Sequence, residues 1–255
     1  AEEANWLAAL DVEEAKLGKQ DISGMVTDLY KCFDQISPDI LHNLLSMAGC
    51  PQKILEPYKN FHSKVCYRNT LTNGLGAKHR RPASIPQGCP LSMTFIALWS
   101  CPWLSAVKAL GAKPRVLADD LLLKTQGHQH EKLLIQAGNL TLKFFQTIGA
   151  NISLPKSKTF STNRSTRARL RVHVWDIANN TIPVTATFRD LGGQLSFGKQ
   201  MQSTTLNDRL EDNTNKLHQL QRSGFCFQDK AKLIAAKFHP GALHGCETAP
   251  SNQRN

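Results

Sequence analysis

The stretch "RVLADDLLLK" (residues 115–124) sets two carboxylates, Asp119 and Asp120, between two apolar runs. Val116 to Ala118 on one side and Leu121 to Leu123 on the other read as two short buried strands joined by a tight turn. Asp is a common turn residue, so a plain surface turn is the bland reading. A two-residue hairpin turn prefers Asn-Gly or Asp-Gly, because it needs positive φ. Asp-Asp departs from that preference and adds repulsion. The pair therefore suggests a site built for a cation.

Composition bounds the rest. With 255 residues the chain can bury a substantial core in one or two domains. It opens on Ala1 rather than Met and closes on the polar string "APSNQRN", so a segment of a larger polypeptide is expected. No apolar run approaches the ~18 residues of a membrane span, and no secretory signal opens the chain. The seven cysteines form no C-x-x-C pair, which points away from zinc and from a disulfide framework. A reducing, intracellular compartment is expected, with the nucleus as one option.

The formal net charge of +11 predicts a polyanionic partner. "KSKTFSTNRSTRARLR" (156–171) carries Lys156, Lys158, Arg164, Arg167, Arg169 and Arg171 and no acid. "KHRR" (78–81) is shorter, and a solvated surface explains it as well.

Patterning predicts an α+β chain. Helices are expected over 1–17, 37–49 (Ser37 as cap, Pro38 in the first turn, Gly49 at the end), 51–62, 90–110 with an interruption at Pro102, 129–148, 205–222 and 228–239. Strands are expected from Gly24 to about Asp28, in the Asp-Asp hairpin, as a pair within 169–188, and in "LGGQLSF" (191–197). "KVCYRNTLTNG" (64–74) ends in an Asn-Gly hairpin signal.

Asp28 closes the first strong strand. One aspartate on a strand and an Asp pair on a hairpin match two-metal phosphoryl transfer, in which two Mg²⁺ ions about 4 Å apart clamp the attacking and leaving oxygens. Hard ions want carboxylate oxygens. Between these acids, "SIPQGCPLSM" (84–93) contains Gln87 and Gly88, whose amide and open backbone suit close approach to a ligand. Taken alone, that segment is an ordinary loop into a helix.

The ordered set is less ordinary, and it resembles the palm of reverse transcriptases. "DLYKCFD" (28–34), "IPQGCPLSM" (85–93), "LADD" (117–120), "GANISLPKS" (149–157) and "LGG" (191–193) look like five successive motifs of that family. "KLIAAKFHPGALHGCE" (232–247) further resembles the start of the thumb in the non-LTR retrotransposon and group II intron branch. The resemblance implies a palm with an antiparallel sheet backed by helices and a partial fingers segment over 1–198. A truncated thumb would follow over 199–255.

It also implies residue roles. Asp28, Asp119 and Asp120 would hold Mg²⁺, with Mn²⁺ as a substitute, and should converge on a common point. Phe33 would lie under the incoming sugar, with Gln87 and Gly88 beside nucleotide and template. Lys156 would protonate the leaving group, with Lys158 as fallback. Gly192 and Gly193 would grip the primer end. The run with Lys158, Arg164, Arg167, Arg169 and Arg171 would track the nucleic-acid backbone. The implied partners are an RNA template, a DNA primer and dNTPs.

Two motif positions depart from the usual pattern. Leu117 stands where an aromatic is common, and Met93 where Pro is common. The resemblance implies that most of the fingers would precede this segment, which is then expected to need them for activity. An RNA-dependent RNA polymerase would be expected to carry an Asp where Phe33 stands. A decayed palm that only binds nucleic acid is the rival from another class.

Overall fold

The computed structural model describes residues 2–72, 74–86, 88–198 and 203–248. The two apolar runs around the acids do pair. β4 (Lys113–Leu117) and β5 (Asp120–Gln126) form a hairpin, and β1 (Ile22–Asp28) and β6 (Lys158–Ser161) complete a four-stranded antiparallel sheet of order β4-β5-β1-β6. Strand alternation gives this sheet two apolar faces. Met25, Leu121 and Leu123 belong to the larger core, which holds Trp99 and Trp103 of α5 (Ser92–Ala109) and Leu134 and Phe145 of α6 (His130–Thr147). Ile22, Leu122 and Phe160 point the other way. They pack with Ala8, Val12 and Ala15 of α1 (Glu2–Leu17) and with Phe188, Leu195 and Phe197. Gly24 lies mid-strand because the Phe160 ring fills the space that a Cβ would take, at 2.2 Å.

Short elements lie between β1 and α5. They are α2 (Cys32–Gln35), α3 (Pro38–Met47), α4 (Gln52–Lys64) and the small hairpin of β2 (Thr70–Leu71) and β3 (Gly74–Leu75). Asn73 of the hairpin signal lies outside the described residues. Neither Pro57 nor Pro102 ends its helix; α4 and α5 run through them.

The strand pair expected within 169–188 is not there. Residues Arg164–Val172 form α7, because Asn163 Oδ1 accepts hydrogen bonds from the backbone N–H of Ser165 and Thr166 and caps its first turn. Thr166 and Leu170, four apart, are its buried stripe. Beyond α7 the chain turns, with single bridges at Trp175–Asn180 and Thr159–Val184, before β7 (Thr187–Asp190) pairs with β8 (Gly193–Ser196). β6 falls inside the basic run, where no strand was expected. The described residues end in α8 (Thr204–Arg222), α9 (Phe227–Leu233), a π-helical turn at Ile234–Phe238, α10 (His239–Leu243) and a 3₁₀ turn at Cys246–Thr248. None of the described helices is long and apolar enough to cross a membrane, and all seven cysteines are free.

Candidate active site

Asp28 and Asp120 meet as a direct register pair at the ends of β1 and β5. Directly opposed residues of an antiparallel pair share a sheet face. Two like charges are thereby held side by side although 92 residues separate them. Asp119 sits beside them in the turn. The turn itself is Ala118–Asp119 rather than Asp119–Asp120. Its left-handed residue is Ala118, at φ 54°, and Asp120 opens β5. The conformational strain expected at the acids therefore falls on Ala118.

The electrostatics follow from crowding. The Asp120 carboxyl is pushed above the usual range, first by burial, then by the charges of Asp119 and Asp190, with Arg115 opposing and Asp28 adding. The Cys32 thiol is pushed up to about 12 by burial and by Asp119.

The segment 151–157 is bound to the end of β1. Asn151 O accepts from Tyr30 N, Asp28 O accepts from Ser153 N, and Ser157 Oγ accepts from Asp28 N at 3.4 Å. This docking brings Lys156 Nζ to 3.5 Å from Asp28 Oδ2. Register brings Asp28 and Asp120 together, with Asp119 in the adjoining turn. Among the described residues no three His, Cys, Asp or Glu side chains are grouped to hold a metal ion.

Phe33 is partly buried on α2 and packs against the main core. Its carbonyl accepts from Ile85 N at 2.8 Å, and Ile36 O accepts from Ser84 N, so the segment that leads into Gly88 is stitched to α2. Gly88 has φ +87°, with open space where a side chain would begin. Gln87 lies outside the described residues. Arg81 of the "KHRR" run pairs with Asp34 at 2.9 Å and lies over the Tyr67 ring.

Gly192, at φ +92°, turns the β7–β8 hairpin, and a Cβ there would sit 2.4 Å from His244 Nε2. A Cβ on Gly193 would collide with Asn5, with Thr248 Oγ1 at 2.9 Å. The hairpin tip is thus wedged between α1 and the residues after α10.

The basic run divides. Lys158 faces Val26, two residues from Asp28, and stays near the acids. Arg167 Nη1 donates to the carbonyls of Ser161 and Thr162, at the opposite end of the sheet, where Ser161 faces Ser23. Arg169 pairs with Glu131 of α6, whose carboxyl it holds below the usual range. Arg164 and Arg171 are exposed on the same helix. The structure does not bring Arg167 and Arg169 to the acids, because both are used within the fold.

Two residues that sequence reasoning missed border the site. Arg115 Nη2 donates to both carboxylate oxygens of Asp190 at 2.7 and 2.9 Å, and its Nη1 donates to Ala4 O at 3.0 Å. Asp190 precedes the "LGG" turn directly, which is the one signal that could have drawn attention to it.

The family model for reverse transcriptase (RNA-dependent DNA polymerase) matches residues 3–217. The chain belongs to the reverse transcriptase family. Its fold is similar to solved structures of telomerase. One is telomerase from Candida tropicalis in complex with the TWJ fragment of telomeric RNA (12% identity, TM-score 0.59, 97% of this chain and 42% of that one). Another is telomerase from Candida albicans in complex with the same kind of fragment (13%, 0.54, 97% and 43%). The apo form from Candida tropicalis matches at 14% identity and TM-score 0.53 over 75% of this chain. The reverse transcriptase chain described here spans 34% to 43% of these structures. No curated protein matches it by sequence. Reverse transcriptases generally use divalent metals, and the donors here fit such ions by type: three carboxylates at neighbouring backbone positions, with Asp120 already crowded by negative charge.

Proposed function

We propose that this chain carries the catalytic palm of an RNA-directed DNA polymerase of the non-LTR retrotransposon or group II intron branch, within a larger polypeptide. It adds dNTPs to a DNA primer 3′-OH on an RNA template. The observation that carries the reading is the register pair Asp28–Asp120 with Asp119 in the adjoining turn. Bound Mg²⁺ would supply charge stabilisation at the attacking and leaving oxygens. Asp28, Asp119 and Asp120 would hold it, Asp28 giving up Lys156. Lys156, 3.5 Å from Asp28 in the present arrangement, would once released serve as proton donor to the leaving group. Phe33 and Gly88 shape the nucleotide side, and the hairpin tip at Gly192 and Gly193 orients the primer end.

The test is extension of a DNA primer on an RNA template with Mg²⁺ and matched dNTP. Within the whole polypeptide, the wild type should extend the primer and Asp119→Asn should not. Tight primer–template binding without nucleotide addition would replace this reading with a nucleic-acid-binding palm. Equal use of rNTP and dNTP would instead indicate an RNA-directed RNA polymerase.

A further inference from the structure

We infer that Arg115 and Asp190 form a strut that positions the acid hairpin against the hairpin gripping the primer end. The inference rests on the polymerase reading above. By register Arg115 lies opposite Leu122, on the sheet face that carries Leu117 and Asp120. Asp190 ends β7, one residue before the Leu191–Gly192 turn. One guanidinium therefore ties three elements: β4 through its own backbone, the β7–β8 hairpin through both oxygens of Asp190, and α1 through Ala4 O.

The pair is largely out of water, with 17% of the Arg115 side chain and 2% of the Asp190 side chain exposed. Packing energy alone does not call for it, since apolar residues of similar volume usually stabilise such a position as well or better. An ion pair adds direction: a charge-assisted contact to both oxygens fixes distance and angle where apolar packing would slide. The far side of the hairpin is equally constrained, with Gly192 against His244 and Gly193 against Asn5. The strut thus spans the gap between the residues assigned to the metals and those assigned to the primer terminus. Nucleotidyl transfer is sensitive to that gap, because in-line attack needs reacting atoms at about 3–3.5 Å.

The experiment replaces the pair by apolar residues, Arg115→Met together with Asp190→Leu, in the full chain. Single-turnover addition of a matched dNTP and the thermal midpoint are both measured. The strut predicts a retained midpoint and a maximal addition rate lower by about tenfold to a hundredfold. The dNTP concentration for half-saturation should stay within about twofold, the signature of lost alignment rather than lost binding. The charge-reversed pair, Arg115→Asp with Asp190→Arg, should recover part of the rate. A folded apolar variant with wild-type rate would overturn the strut and leave the ion pair a packing feature. If the apolar variant does not fold, Arg115→Lys at a permissive temperature decides. It keeps the charge but cannot span Asp190 and Ala4 together, so an unchanged rate overturns the strut and a selective rate loss supports it. A wild-type whole polypeptide with no addition at all would sink the polymerase reading and the strut together, an outcome distinct from failure of the strut alone.

Discussion

Lys156 Nζ lies 3.5 Å from Asp28 Oδ2, held there by a turn whose backbone is bonded to the end of β1. The same carboxylate is assigned to metal binding, so the lysine and the ion compete for one partner. Mg²⁺ or Mn²⁺ should raise the thermal midpoint, because a ligand that prefers the native state shifts the equilibrium. Lys156→Gln should strengthen that binding by removing the competitor while slowing nucleotide addition. Asp119→Asn should abolish most of the metal-linked shift. Titration calorimetry with Mn²⁺ checks both, and weaker binding by Lys156→Gln would mean that the lysine supports the ion rather than competing with it.

Asp120 makes a prediction about pH. Its folded carboxyl titrates above its ordinary value, through burial first and then its acidic neighbours. The sign is opposite to that of a salt-bridged acid. Below the unfolded pKa the group is neutral in both states and costs nothing. As pH rises from there through the folded pKa, the unfolded chain ionises more readily and native stability falls. Asp120→Asn should therefore raise the midpoint by a few degrees at pH 7, at about 2–4 °C per kcal/mol for a chain of this size. The gain should vanish near pH 3. Melting curves at the two pH values check it, and an equal gain at both would assign the effect to packing.

Salt dependence separates the arginines of α7. Arg164 and Arg171 are exposed, whereas Arg167 holds backbone carbonyls and Arg169 holds Glu131. Replacing Arg164 and Arg171 with Gln should flatten the log–log salt slope of primer–template binding by up to about 2 units, near 1 per phosphate contact. The same change at Arg167 and Arg169 should leave the slope nearly unaltered and lower the unfolding midpoint. A flattened slope for the second pair would show that these residues leave their internal partners to meet the nucleic acid.

Phe33 tests the choice of sugar. A ring beneath the nucleotide leaves a 2′-hydroxyl without room or a hydrogen-bonding partner. Phe33→Val should raise ribonucleotide incorporation and leave deoxynucleotide use largely intact, while losing about 1–3 kcal/mol of stability from the partly buried ring. Matched single-turnover rates with dNTP and rNTP give the ratio. A variant that loses stability with no change in that ratio would make Phe33 a core residue alone.

The acid hairpin, the strand that ends at Asp28 and the helix over 37–49 were legible because each rests on local signals: an apolar run, a cap, a glycine stop. Period and punctuation act within ten residues, and the order of the motifs along the chain needs no folding to be read. Local reading failed within 169–188, where a strand pair was expected and the Asn163 cap instead started a helix that runs to Val172. Tertiary structure alone decided the pairings across long separations. No spacing relates Asp28 to Asp120, Lys156 to Asp28 or Arg115 to Asp190; register and docking do. Tertiary structure also divided the basic run, since a sequence counts charges but does not show which side chains are already engaged by a carbonyl or a carboxylate of the same fold. Chemistry was written in residue types, and geometry came from contacts that form only when distant segments share one core.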